Sequence, residues 1–398
     1  MRVRGPGGDR PGGCRKGSSV KQTESGERIR AFDVVRRIPR RRAVFGGSPR
    51  PAPGASGWLL PAFLAAWLLG GVPALAASQP THLFKVATIA PQGSTWMTLM
   101  EELDRRVREE TGGEVGFRFY PGGQHGSDLD VLRKMRSGQL QGGGISGVGL
   151  GEIEPSLRIL ELPFMFNNMD EVAQGHHALD AVLAERVRQR GLHLLGWADV
   201  GFVYLYSQEP LRTVSDLRKQ KVWLWQGDPL AQRLLKEAGV SPVPLDITDV
   251  LISLQTGIVN TVYVTPYGCL SLQWFSRVKH MVDLPLTYAN GAVVLDAQAY
   301  DRLSASQQET LSRLAAEIFA RLNEATRKQN EESIAVLREA RIQVDQADPA
   351  AVAEFVEIGR RVWQGLVGEL YDQELLDRLT GALAEMRSAQ GGVQGGAR

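Results

Sequence analysis

From residue 82 onward the chain alternates between two hydrophobic periods. Residues 84–90 read as a strand, and Val115, Phe117 and Phe119 alternate as in a half-buried strand. Between and after them, apolar residues three and four apart mark amphipathic helices. Met100, Leu103 and Val107 form one such stripe, behind a Ser94 or Thr95 cap and ahead of Gly112-Gly113. Leu129, Leu132 and Met135 form another, opened by Ser127 and closed by Gly138. A third helix, capped by Asp170, carries Val172, Leu179, Leu183 and Val187 as far as Gly191. Residues 192–197 and 202–206 read as two strands, and residues 221–225 as another. Asp228-Pro229 then opens a helix with the favoured N-cap and first helical residue, and Gly239 ends it. Thr248 is expected to cap a short helix closed by Gly257, with strands at 259–264 and 292–295. One long helical pattern fills 304–341, and a final helical segment fills 349–386. The glycine-rich end past Gln390 is expected to fray. Strands alternating with helices predict an α/β fold with mainly parallel sheets, divided into two lobes.

Charge changes the picture at the N-terminus. The net of +2 over 398 residues is an average of unlike parts. Residues 1–57 hold 14 Lys and Arg against 4 Asp and Glu, a net of +10; residues 58–77 hold none; the rest holds 32 against 40, a net of −8. The uncharged stretch has an apolar body at 58–69, then Gly70, Gly71, Pro73 and Ala74-Leu75-Ala76. That is the order of a secretory signal. A membrane anchor is the alternative, but it needs about 20 apolar residues, and Pro61 and Pro73 interrupt this run. Cleavage after Ala76 would leave 322 residues for the periplasm, with no Cys at the cut for a lipid anchor. The basic segment upstream reads as a nucleic-acid arm or as a start codon placed too early. An export signal downstream favours the second, and no nucleic-acid partner is expected. The remaining Cys269 has no internal disulfide partner once Cys14 is removed, and it reads as a small buried hydrophobe.

Several chemistries are missing from the sequence. Gly142, Gly144 and Gly147 satisfy G-x-G-x-x-G, but the motif follows a helix-like segment and Pro155 leaves little room for a helix after it. These glycines are expected to serve close backbone approach instead. His176 and His177 are adjacent and would diverge by about 100° on a helix, so they do not chelate one ion. No Cys/His cluster has zinc spacing, and no P-loop, H-E-x-x-H or G-x-S-x-G is present. No metal or cofactor is expected.

The chemistry that is present is aromatic. Trp96, Phe164, Phe166, Trp197, Phe202, Trp223, Trp225, Tyr263 and Tyr267 fall at expected strand ends and turns, where ligands of open α/β sheets sit. Ser94, Asp199, Asp228 and Thr265 are the candidate polar groups beside them. Each aromatic could equally fill the core. In residues 221–225, Val222 and Leu224 share one face and Trp223 and Trp225 the other, so one face is core and the tryptophan face is the candidate cleft wall.

These segments, in order, resemble the DctP-type solute-binding subunit of tripartite ATP-independent periplasmic (TRAP) transporters. The resemblance rests on Ala90-Pro91-Gln92-Gly93-Ser94-Thr95-Trp96, Thr111-Gly112-Gly113, Tyr120-Pro121-Gly122-Gly123-Gln124 and Glu161-Leu162-Pro163-Phe164-Met165-Phe166. Gly196-Trp197, Gly201-Phe202, Val214-Ser215-Asp216-Leu217-Arg218 and Leu254-Gln255-Thr256-Gly257-Ile258-Val259 continue it. It implies two lobes joined by crossing strands and a long spanning helix, a small solute captured between them, and delivery to TRAP membrane permease subunits. It implies no catalysis. Lobe I is expected at 77–204 with a return at 286–320, and lobe II at 205–285 with 321–390 against it. Residues 1–76 would be extension and signal, and 391–398 a disordered tail. The chain departs from the family where a ligand carboxylate is usually bound. Trp223 stands at the usual strand arginine and Val203 at the second, while Asn260-Thr261-Val262-Tyr263 alters a further polar position. A more apolar or aromatic ligand, including an organic acid held by stacking, is therefore expected. The departure resembles the TRAP subgroup that works with a periplasmic TPR-repeat protein. A periplasmic sensor, or an enzyme using Asp199 and Asp228 as acid and base, is the alternative on the same scaffold.

Overall fold

The computed structural model describes residues 79–395, with side chains through residue 389. The basic extension, the expected export signal and Cys14 lie outside the described residues. The chain runs through β1 (His82–Thr88), α1 (Thr95–Glu110), β2 (Val115–Tyr120), α2 (Asp128–Arg136), β3 (Gly142–Ser146) and α3 (Gly147–Ile153). A 3-10 segment, Pro155–Glu161, leads to α4 (Met169–Gln189), β4 (Leu192–Ser207), α5 (Val214–Leu217), β5 (Trp223–Trp225) and α6 (Pro229–Glu237). Then come β6 (Val243–Leu245), α7 (Val250–Thr256), β7 (Thr261–Val264), α8 (Pro266–Ser271), β8 (His280–Val282) and β9 (Thr287–Asp296). The chain closes with α9 (Ala297–Asp301), α10 (Ala305–Glu339), β10 (Gln343–Asp345), α11 (Pro349–Gly365) and α12 (Gln373–Gly395). Among the described residues, no helix is long and apolar enough to cross a membrane.

The main sheet runs β10-β8-β4-β9-β3-β1-β2, with β7 also paired to β4; β5 and β6 form a separate pair. The expectation of mainly parallel sheets needs correcting. β1 pairs β2 and β3 in parallel, as do β8 with β10 and β5 with β6. The central pairings of β4 with β9, β7 and β8, and of β3 with β9, are antiparallel. Antiparallel partners here lie 54 to 153 residues apart, from Ser207 opposite Thr261 to Gly142 opposite Leu295, so no local pattern announces them.

Strand β9 explains how the sheet is covered. Val293 and Leu295 face a core built from α1 and α10, while Ala292 and Val294 face one built from α2, α3 and α4. Alternate side chains point to opposite faces, and both faces are buried, so residues 291–295 carry no polar side chain. Helix α10 lies along β4 and contacts α1 near its start and α8 further on. Its Ser304 capping box starts it where the sequence pattern does.

Residues 192–197 and 202–206 belong to one strand, β4, rather than two. Register shifts between Leu194 and Gly196 and between Asp199 and Gly201 break its alternation. Side chains of α10 satisfy the irregular backbone. Asp199 N donates to Asn323 Oδ1 (2.9 Å), Asn323 Nδ2 donates to Trp197 O (3.3 Å) and Asn330 Nδ2 donates to Val200 O (2.9 Å). The last helical segment is two helices, α11 and α12, broken after Gly365, and α12 remains helical to Gly395. Asn168, not Asp170, caps α4, and Thr248 does not cap α7: it lies in a 3-10 turn, Ile247–Asp249, capped by Asp246, and Asp249 stands at the N-cap of α7 without a side-chain bond. The glycine-rich motif follows α2, as expected, but Gly142 and Gly144 lie within β3 and Gly147 opens a short helix. The helix is α3, and close packing is what the glycines serve: a Cβ on Gly144 would stand 2.8 Å from Trp96, and one on Gly147 would overlap the Glu161 carboxylate.

Candidate functional site

Trp223 is 1% exposed and stacks on Tyr263 (4.9 Å between centroids) and Trp225 (6.1 Å), with Trp274 edge-on at 5.2 Å. Its indole Nε1 donates to Leu245 O at 3.0 Å, which fixes the ring against β6. The Tyr263 hydroxyl in turn accepts from Trp225 N at 3.0 Å. The stack is therefore core, and it is also a wall. It bounds a cavity of about 280 Å³, closed on other sides by Val203 and Leu205 of β4, Leu230 and Leu234 of α6, Leu286, and Phe355 of α11.

Three charged side chains are buried in this apolar space. Arg158, from the 3-10 segment, is 3% exposed; Glu161 and Asp228 are each 6% exposed. Arg158 Nη2 donates to Asp228 Oδ1 at 3.0 Å, and Arg158 Nε lies 2.9 Å from Glu161 Oε2. Asp228 Oδ1 also accepts from Leu230 N (3.0 Å) and Ala231 N (3.2 Å), because Asp228 is the N-cap of α6. Glu161 Oε1 accepts from Asn290 N at 3.0 Å. Burial pushes the Glu161 carboxyl above its ordinary value, against the pull of Arg158 and the Asn290 N–H. Burial alone would lower Arg158, but the charges of Asp228 and Glu161 outweigh it and hold the guanidinium above its ordinary value. Arg158 Nη1 and Asn290 Nδ2 are buried and have no partner among the described residues.

Of the sequence candidates, Trp223, Trp225, Asp228, Tyr263 and Thr265 line the cavity together. Thr265 also caps α8 through Gly268 N. The other eight lie off it. Ser94 caps α1 by accepting from Met97 N, and Trp96 packs edge-on against Phe119. Phe164 adopts a left-handed φ of 56° and backs onto the cavity residue Phe355. Phe166 and Phe202 both pack edge-on against Tyr288, and Trp197 packs against His176. Asp199 is buried beside the β4 irregularity and pairs with Arg327 at 3.0 Å, while Tyr267 is 39% exposed. Asp199 and Asp228 thus sit in separate ion pairs, and only Asp228 belongs to the cavity. Cys269 is fully buried, and burial pushes its thiol up to about 12. Among the described residues, no group of His, Cys, Asp and Glu could hold a metal ion.

Sequence reading misses Arg158 and Asn290. Arg158 did leave a signal: it is the lone charge in Leu157-Arg158-Ile159-Leu160, three residues before Glu161. A charge inside an apolar run is rarely buried without a partner.

Comparison with known proteins places the fold. The family model described as bacterial extracellular solute-binding protein, family 7 (DctP), matches residues 86–370. The chain belongs to this family. A Salmonella typhimurium protein named uncharacterized protein YiiZ is 28% identical over 162 residues, covering 40% of this chain and 49% of that one. The chain thus spans about half the length of the first curated relatives it matches. The C4-dicarboxylate-binding periplasmic protein DctP of Rhodobacter capsulatus is 24% identical over 304 residues, covering 74% of this chain and 85% of that one. A crystal structure of a TRAP periplasmic solute binding protein from Desulfovibrio salexigens, with bound orotic acid, superposes with a TM-score of 0.71 at 17% identity. It covers 76% of this chain and 99% of that one, which establishes the two-lobe α/β fold. The DctP family is the one the sequence motifs resemble.

Proposed function

We propose that this family 7 protein is the extracytoplasmic receptor of a TRAP-type secondary transporter, capturing a small ligand with an apolar or aromatic body. The observation that carries the reading is the buried cavity between the Trp223–Tyr263 stack and α6, whose walls are almost wholly apolar. Family membership supplies the transport role, and the names of its relatives supply the periplasm. Export after Ala76 and delivery to TRAP membrane permease subunits complete the reading, with a periplasmic TPR-repeat protein as a further partner. In this reading the lobes divide near 204 and 285, and closure of one on the other retains the solute. No observation favours the sensor or the enzyme over transport.

Thermal shift of the full chain against small aromatic compounds, apolar acids and lipids tests the proposal. At least one class should raise the melting temperature, and Trp223→Ala should weaken binding by about tenfold or more, since a lost aromatic stack is worth roughly 0.5–1.5 kcal/mol beyond the apolar area that is lost with it. A Trp223→Ala protein that is folded and binds with unchanged affinity would remove the site assignment.

A further inference from the structure

The charged cluster inside the cavity says something more specific about the ligand, and it rests on the reading of that cavity as the solute site. We propose that the cavity selects an uncharged ligand whose apolar body carries a hydrogen-bond acceptor, a carbonyl or hydroxyl oxygen, received by Arg158 Nη1 and Asn290 Nδ2, and that it rejects ionised acids.

Charge is the first argument. Among the described residues, Arg158 is the only Lys, Arg or His lining the cavity, while Glu161 and Asp228 both line it. The chain has therefore placed its own carboxylate where an acidic ligand would seek one: Asp228 holds Nη2 at 3.0 Å. Asp228 does not readily step aside, because the same oxygen caps α6 through Leu230 N and Ala231 N. An ionised ligand would add a further negative charge to a largely apolar cavity whose single cation among the described residues is already matched, and burying an unmatched charge is costly.

Unpaired groups are the second argument. The buried side-chain atoms without partners in cavity-lining residues are all donors: Nη1 and Nε of Arg158 and Nδ2 of Asn290. Nε already lies against Glu161, which leaves Nη1 and Nδ2 as the buried donors without a partner. A buried donor left unsatisfied costs free energy that an acceptor on the ligand recovers. A cationic ligand would balance the charge but would leave both donors unmet.

The test is isothermal titration of the full chain at pH 7.5 with phenylacetamide, phenylacetate and phenethylammonium, which share a body and differ in head-group charge. The amide should bind at least about tenfold tighter than either ion. Asp228→Asn keeps a good N-cap residue but frees the guanidinium, so phenylacetate should gain about tenfold relative to the amide. Glu161→Gln is the second variant should the first fail to fold, and it should move the ratio the same way. Asn290→Leu should weaken the amide about fivefold while leaving phenylacetate little changed. Equal or tighter binding of either ion to the native protein overturns the inference alone, as does an unchanged ratio in both acid variants. If none of the three probes binds, the cavity is not the solute site, and the proposed site and the inference fall together.

Discussion

Replacing Arg158 by Met removes the only cation among the described residues that line the cavity and keeps most of the side-chain volume. Two carboxyls then remain in apolar surroundings, having lost contacts of 3.0 Å and 2.9 Å. Removing one partner of a buried ion pair costs about 3–5 kcal/mol, and both carboxyl groups here are nearly inaccessible. The loss has a ceiling, because a stranded carboxyl can take up a proton. For Glu161, with an ordinary value of 4.5, that uptake costs about 1.4 kcal/mol for each pH unit above it. Its folded pKa is already raised by burial and rises further without Arg158, so its contribution weakens as pH rises. The variant should therefore be about 3–5 kcal/mol less stable than the native protein at pH 8. At pH 5 the deficit should be about 2 kcal/mol smaller. Guanidinium unfolding followed by tryptophan fluorescence, with circular dichroism as a second probe, measures both. A deficit below about 1 kcal/mol at pH 8, or one that does not change between pH 5 and pH 8, would refute the reasoning.

Three other outcomes follow from the same geometry. Gly147→Ala would drive a Cβ into the buried Glu161 carboxylate, so it should destabilise the chain by roughly 1–3 kcal/mol and weaken ligand binding, read by denaturant unfolding and titration. Asn330→Leu removes bonds from Nδ2 to Val200 O (2.9 Å) and Thr326 O (3.1 Å) and to Oδ1 from Tyr267 N (3.1 Å). It should cost about 2–4 kcal/mol by denaturant unfolding, whereas Asn330→Ser should recover part of that. His193 stacks on Tyr300 at 3.6 Å, and burial with the nearby Arg188 lowers it to about 4. Its neutral form is the folded one, so native stability should fall as pH drops from 6.5 toward 4, and His193→Phe should flatten that part of the melting-temperature profile.

Much of the architecture is legible where local chemistry decides it. Ser94, Ser127, Asp228 and Ser304 cap the helices they were expected to start, because a side-chain oxygen three residues ahead of an apolar stripe satisfies N–H groups that nothing else reaches. The sheet is less legible. Gly196 and Gly201 interrupt the alternation of β4, and the polar groups that repair the break come from α10, more than a hundred residues later. The same distance hides the role of Asp199: beside a candidate cleft it reads as a ligand group, but Arg327 is what it meets. The tryptophan face of β5 was visible from period 2 alone. Its partners Arg158, Glu161 and Asn290 were not, because the 3-10 segment and β9 reach the cavity only through the fold.

The central claim is that the space between the Trp223–Tyr263 stack and α6 is where solute binds. Native mass spectrometry tests it most directly, applied to the full chain as purified and after equilibration with the compounds that shift its melting temperature. The native protein should carry one small molecule per chain, and an Ala231→Trp variant, which fills the cavity from α6, should carry none while remaining folded. A folded Ala231→Trp protein that retains the molecule at native occupancy would place the site elsewhere and contradict the account.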